Sequence, residues 1–474
     1  MLRAPVSGRP AAAYRFYSIN EVYKQESAGA PSVLPANVIS MRLLLRHPLI
    51  HTLVNLRGNA RACVYTEPMW GVSLNLVLPY MSVFMLAIGF NDVQVGLIAS
   101  IYMASQMVFS FLSGALTDKM GRRKTIAIFD ALGWVIPCLV WIFAVDFKFF
   151  VAAAIFNGAM RVPVNAWSCL MIEDTDKSQI THIFTLVMIS GNMSALFSPI
   201  TAVLISKLTL IPAIRILIAW ALIVMSVKIV LLYAITRETT IGVVRMRETK
   251  DQSYASLIGG YFGVLKLMRK KRGLVFAIAI AALFAIISVV NSTFWQIIAT
   301  KKLGVPESSL PIYAMIRSFV ALFFYFAIIA RINQQKLRNP LLVGFGAFFV
   351  GQLSLILIPQ ASSMRFVMLF ASMLFDILGL GILIMLSESM IAINAEGNER
   401  ARMLAIYQMI VMAISTPFGW IGGRLSQMSR DFPFILNMSL IVVGIIITLI
   451  HFKGGDRAGI ADAGAPDAPL PVNR

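Results

Sequence analysis

From residue 66 onward the chain alternates between apolar runs of about 20 residues and brief charged punctuation. As a helix, such a run is about 30 Å long, the thickness of a bilayer's hydrocarbon core. Twelve runs are legible, at 66–90, 93–117, 123–146, 148–171, 181–206, 211–236, 273–298, 309–331, 340–360, 364–391, 402–426 and 432–452. A water-soluble protein could not cover them: 58% of the residues are hydrophobic and 13% charged, where soluble domains carry about 25% charge. The expected fold is an all-α membrane protein with twelve transmembrane helices.

The punctuation divides the chain. A basic polar segment at 237–272 separates six runs from six, giving bundles at 66–236 and 273–452, an N-terminal extension at 1–65 and a tail at 453–474. Of the 41 Lys and Arg residues, roughly 30 fall in the even-numbered connections, the central loop and the two ends, against about 6 in the odd-numbered connections. Positive charge stays on the cytosolic side, so both termini are expected there. The net charge of +19 is thereby read as basic loops, not a nucleic-acid surface. Residues 39–57 mix apolar and basic side chains and are expected to lie flat on the inner leaflet. Residues 1–30 have no continuous apolar core, so a cleaved secretory signal is not indicated; their acid-free start is only weakly like a transit peptide. The Gly/Ala/Pro/Asp-rich tail is expected to be disordered.

The densest punctuation is SGALTDKMGRRK at 113–124. Gly114 lets a neighbouring helix approach closely. Gly121 can take the positive φ of a tight helix–helix turn. Asp118 can face a helix N-terminus, and Arg122 can fork onto a carboxylate, with Glu173 or Asp174 at the same membrane face as candidates. In its pattern and in its position between the second and third runs, the stretch resembles the signature of the major facilitator superfamily. That resemblance implies two six-helix bundles that rock around a central cavity. It implies gating roles for Gly114, Asp118, Gly121, Arg122, Arg123, Glu173 and Asp174 as a cytosolic latch. The plainer reading is a positively charged turn, which suffices for Lys119 and Lys124.

A charge at mid-bilayer costs about 2.5–3.5 kcal/mol, so each one needs a reason. Asn157, Arg161 and Asn165 are spaced i, i+4, i+8 and form one stripe, with Pro163 expected to kink the helix beside them. By the resemblance, the first, fourth, seventh and tenth helices line the cavity, which makes that stripe a cavity wall. Asp376 in the tenth run and Arg317 in the eighth are expected to pair. A buried carboxylate that alternates between an arginine and a proton is a coupling device, and a permanent salt bridge is the competing reading. Asn291 and Trp295 in the seventh run are further cavity candidates, with Ser288, Asn75, Tyr80 and Tyr313 weaker ones. Asp130 and Lys228, in the peripheral third and sixth helices, are expected to form a structural ion pair.

Nothing in the sequence provides a phosphate-binding loop, a nucleophilic triad or a metal-ligand spacing. Cys63, Cys138 and Cys169 have no paired spacing. The chain is expected to be no enzyme, to hold no cofactor or metal, and to work as a monomer in a bacterial cytoplasmic membrane. The function indicated is secondary active transport of a small solute, coupled to an ion or proton. Two cavity arginines against one aspartate point to an anionic or zwitterionic solute. Drug:proton antiporters of the superfamily carry a glycine-rich element in helix 5; here SALFSPITAV keeps Pro199 without the glycines, and Val164 and Asn165 replace residues expected after the helix-4 arginine. Competing readings are a sensor or assembly protein that kept the fold, and a transporter of lysophospholipids.

Overall fold

The computed structural model describes residues 48–176, 179–254, 261–327, 337–360, 364–394 and 400–453. Most of the extension, the loop after the eighth run, part of the loop after the tenth and the tail lie outside the described residues, and with them residues 39–47 of the expected inner-leaflet segment. Two compact units result, Met1–Val54 and Asn55–Arg474. In the first, the described part is a short helix beginning at Pro48.

The second unit is built from long helices: α1 (Gly58–Ile88), α2 (Asp92–Met120), α3 (Arg122–Phe143), α4 (Phe147–Ile172), α5 (Ile180–Leu208), α6 (Leu210–Ile235) and α7 (Arg272–Lys302). Then come α8 (Leu310–Ala327), α9 (Arg338–Ile356), α10 (Arg365–Asn394), α11 (Arg400–Met428) and α12 (Phe432–His451). Between α6 and α7 stand short helices at Thr240–Glu248 and Tyr261–Lys270. Among the described residues, ten helices are long and apolar enough to cross a membrane. α8 and α11 coincide with the other two expected runs and are not among the ten. α8 stops where the described residues stop, and α11 is diluted by Gln408, Ser415, Thr416 and three glycines. α1 starts eight residues before its apolar run, because helical hydrogen bonding continues where side chains turn polar.

Local chemistry sets the ends. Asn91 and Gln94 form a reciprocal capping box that opens α2. Gly121 closes α2 with φ +82°, a conformation costly for any other residue, and α3 begins at the next position. Asp146 caps α4 through the Lys148 and Phe149 amides. α4 is interrupted at Ala159–Met160, one turn ahead of Pro163. Proline has no N–H for the Ala159 carbonyl, which instead accepts from the Val162 amide at 3.0 Å.

α1 packs on α5 and α6, α4 on α2 and α3, and α3 on α6, while α9 packs on α10 and α12 and α7 on α10, α11 and α12. The main seams between the first six helices and the last six are α1 with α7, α2 with α11 and α5 with α8. The main apolar core crosses these seams, from Leu76, Tyr80 and Phe84 to Val290, Phe294 and Phe434.

Candidate functional site

Between the seams lies a cavity of about 520 Å³. α1 lines it with residues from Leu74 to Met85, α2 with Val95 to Tyr102, α4 with Phe150 to Asn157, α7 with Ser292 to Gln296, and α8 with Leu310 to Ser318. It lies nearer the end where α2 begins and α7 finishes than the end that holds the 113–124 motif. Asn157, Trp295 and Arg317 are on its wall, and Tyr313 stands edge-on to Trp295 with ring centroids 6.1 Å apart. A smaller cavity of about 220 Å³ continues past Arg317 to Asn291, Ser288 and Gly381.

The three members of the α4 stripe do different things. Asn157 donates to the Gly133 carbonyl at 2.6 Å, tying α4 to α3. Asn165 donates to the Ser113 hydroxyl at 2.7 Å, tying α4 to α2. Arg161 has no carboxylate partner among the described residues. It interacts electrostatically with Tyr102 and Tyr407, and its buried Nε has no hydrogen-bond partner. It stands one turn further toward the motif end than Asn157, and Tyr102 reaches from there to the cavity wall.

Asp376 is almost fully buried, but its direct partner is not Arg317. Both carboxylate oxygens accept from the Gln352 side-chain amide, at 2.9 and 3.0 Å. Arg317 interacts with Asp376 only electrostatically, without an ion pair or hydrogen bond among the described residues. The expected direct pair is therefore replaced by a glutamine bridge. The reason is steric: Gly351 lets α9 approach α10 so closely that a Cβ there would strike Asp376, and this delivers Gln352 one residue later. Asn437 of α12 donates to the Gln352 carbonyl oxygen at 3.1 Å, and Asn291 is 3.4 Å from its nitrogen.

At the motif end, Arg122 is 4% exposed and holds two acids. Its Nε and Nη2 donate to Glu173, with Nη2–Oε1 at 2.9 Å, and Nη1 meets Asp118 at 3.2 Å. Glu173 also accepts from the Thr239 hydroxyl, and Asp174 from the Thr240 amide at 3.2 Å. Glu238 accepts from the Arg122 and Arg123 amides at 2.9 and 3.1 Å, serving amides at the N-terminus of α3 that have no partner within the helix. Arg123 stacks on Tyr233, 3.9 Å from the ring centre, and donates to its carbonyl. The Thr249 hydroxyl donates to the Asp118 carbonyl. Every one of these partners lies between residues 118 and 249. Gly114 is half-buried within α2.

At the opposite end α2 and α11 touch through backbone. A Cβ on Gly419 would lie 2.7 Å from the Gly96 carbonyl oxygen, and one on Gly423 2.6 Å from the Asp92 carbonyl oxygen. The Trp420 amide donates across the seam to the Ser100 hydroxyl at 2.8 Å. Asp92, 3% exposed, pairs with Arg430 and accepts from Ser426. Nearby, Lys302 pairs with Asp431 at 2.5 Å and donates to the Ile356 carbonyl.

Away from both ends, Asp130 and Lys228 are 3.6 Å apart and buried. Several of these groups escaped the sequence reading. Glu67, Asp92, Gln352 and Asn437 are single polar residues in apolar runs, a weak signal by themselves. Thr239 is the N-cap of the short helix Thr240–Glu248, accepting from the Gly242 amide, and Glu238 stands beside it; threonines and acids are favoured at helix N-termini.

Long helices around a metabolite-sized cavity, with polar contacts gathered at both ends, define the class of multi-helix membrane transporters. The family model of the Major Facilitator Superfamily matches residues 69–420, and the chain belongs to that family. No curated protein matches it in sequence. Among solved structures it is similar to the nucleoside transporter NupG, at TM-score 0.60 and 13% identity, covering 86% of this chain and 98% of that one. It is also similar to a POT family transporter in complex with 5-aminolevulinic acid, at TM-score 0.63 and 16% identity over 84% and 96%. A third likeness is to the peptide transporter POT in complex with sulfate, at 0.63 and 14% over 86% and 96%. At these identities the likeness is one of fold.

Proposed function

We propose that the chain is a secondary active transporter that carries a small anionic or zwitterionic solute by alternating access, with the 520 Å³ cavity as its binding site. The observation that carries this reading is the pair of arginines. Arg317 is on the cavity wall, and Arg161 stands one turn beyond it with no carboxylate partner among the described residues. Both arginines are half-buried; a guanidinium withdrawn from water is costly unless an anion is at hand, and a solute carboxylate or phosphate can supply one to Arg161 and a second one to Arg317. The volume suits a metabolite-sized ligand.

The helices act as two halves, α1–α6 and α7–α12, that span the membrane twelve times with both termini in the cytosol. The membrane is the bacterial cytoplasmic one, and the working unit is the monomer. The state described is sealed at the outer end by α2 against α11. The Asp118–Arg122–Glu173 network is the cytosolic gating element. Asp376 is the coupling carboxylate: its glutamine bridge holds it in one state, and Arg317 or a proton takes over in another.

The test is thermal stabilisation of the purified protein by organic anions, amino acids, sugars and cationic drugs, at acidic and alkaline pH. Uptake of any hit into proteoliposomes follows. Stabilisation by an anion that disappears in Arg317→Gln and Arg161→Gln, with matching loss of uptake, is expected. Stabilisation confined to cationic compounds would overturn the substrate class. Binding without flux would favour a sensor that kept the fold.

A further inference from the structure

α1, α3 and α6 meet around ionisable side chains that the cavity does not use. Cys63 and Glu67 come from α1, Asp130 from α3 and Lys228 from α6. All are buried, with Glu67 7%, Asp130 6% and Lys228 4% exposed. Asp130 pairs with Lys228 at 3.6 Å. Glu67 has no ion pair among the described residues, yet it interacts electrostatically with both Lys228 and Asp130. Cys63, one turn before Glu67, interacts with Lys228 and Glu67. No other ionisable group acts on Glu67 or Asp130 among the described residues. The neighbouring Thr66 hydroxyl is already committed to the Ala62 carbonyl at 2.9 Å.

Two carboxylates and one ammonium leave one uncompensated negative charge in a dry interior, which is heavily penalised. One proton makes the cluster neutral. Asp130 has the lysine beside it, so the proton belongs on the carboxyl without an ion pair. We propose that Glu67, Asp130 and Lys228 form a buried one-proton binding site, with the proton resting on Glu67 and the Asp130–Lys228 pair ionised. Release is a simple dissociation: the Glu67 carboxylic acid becomes a carboxylate and the proton passes to water.

The placement makes this more than a static cluster. Glu67 and the cavity-lining residues from Leu74 onward are on the same helix, α1. Directly after Asp130 the backbone of α3 widens into a π-helical turn at Ala131–Val135, an irregularity that concentrates at functional sites. From that turn Trp134 meets Trp70 of α1 edge-on, with centroids 6.3 Å apart. A proton lost from Glu67 sets two carboxylates against each other across the α1–α3 contact. Moving α1 relieves the repulsion, and α1 is a wall of the cavity. Proton occupancy here thus biases the cavity's shape without any titrating group in the cavity itself.

The test is independent of transport, because occupancy can be read on the protein at rest. Infrared spectra of the purified full chain at neutral pH should show the carbonyl stretch of a protonated carboxyl group. That band should shift when glutamate alone is ¹³C-labelled, which separates it from Asp376 and every other aspartate. It should be lost in Glu67→Gln. Glu67→Gln should keep the wild-type melting temperature, since a neutral amide replaces a neutral acid, whereas Lys228→Met should lower it. A wild-type spectrum without a glutamate-sensitive protonated band overturns the proposal, even if no variant can be purified. A band that survives in Glu67→Gln overturns the assignment equally.

Discussion

Gly419→Ala probes the α2–α11 seam most sharply, because its effect can be worked from contacts with backbone. The new methyl carbon would lie 2.7 Å from the Gly96 carbonyl oxygen and 2.8 Å from both the Ser100 amide nitrogen and hydroxyl. Ordinary contact begins at 3.4 Å, so the helices must separate by about 0.7 Å at a point where neither side can swing away. Overpacking of this kind costs about 1–3 kcal/mol. Separation also strains the Ser100–Trp420 hydrogen bond, worth about 0.5–1.5 kcal/mol. Alanine improves intrinsic helix propensity by about 1 kcal/mol over glycine, but that gain is shared by every conformer and cancels between them. The seam-closed state should therefore lose about 2–4 kcal/mol against states in which α2 and α11 part, a shift of roughly 30- to 1,000-fold. Spin labels at Ala87→Cys and Met428→Cys, both exposed near this end, report the separation by pulsed dipolar spectroscopy in a background without the three native cysteines. The expected result is a longer distance becoming dominant. Gly346→Ala is the control, since a Cβ there meets nothing within 4 Å. An unchanged distance distribution in Gly419→Ala would refute the seam as the element that holds this state.

Other perturbations address the remaining contacts. Arg122→Lys keeps the charge but loses the fork that holds Glu173 and Asp118 together; it should destabilise the protein by about 2–4 kcal/mol, read as a lower melting temperature. Gly121→Ala forces alanine to φ +82° and sets its methyl 2.7 Å from Glu238 Oε2, so a loss of about 1–2 kcal/mol is expected. Gln352→Leu removes the hydrogen bonds that Asp376 accepts; a loss of about 1–3 kcal/mol should appear in thermal unfolding and be largely reversed in Gln352→Leu/Asp376→Asn. Asp118→Asn with normal folding but lost solute flux would mark the motif as a moving part, whereas undiminished flux would reduce it to a charged turn.

The length and spacing of the apolar runs were legible in the sequence because the bilayer sets both, and each of the helices α1 to α12 lies on an expected run, while the two short helices between α6 and α7 do not. The family was legible too, because its signature is local: Gly121 at positive φ and Arg122 one residue later occupy one turn. Hydropathy also fixed which residues would be conspicuous, since a charge among apolar neighbours always stands out. What it could not fix was who faces whom. Asp376 and Arg317 were matched by depth alone, and the helix approach at Gly351 gave the carboxylate to Gln352 instead. Asn157 and Asn165 belong to one stripe, yet one serves α3 and the other α2, because a helix of this radius meets different neighbours along its length. Glu67 carried no sequence signal beyond being an acid near a membrane boundary. Only packing brought it beside Asp130 and Lys228, since charges on three separate helices have no shared periodicity and meet only once those helices are laid together.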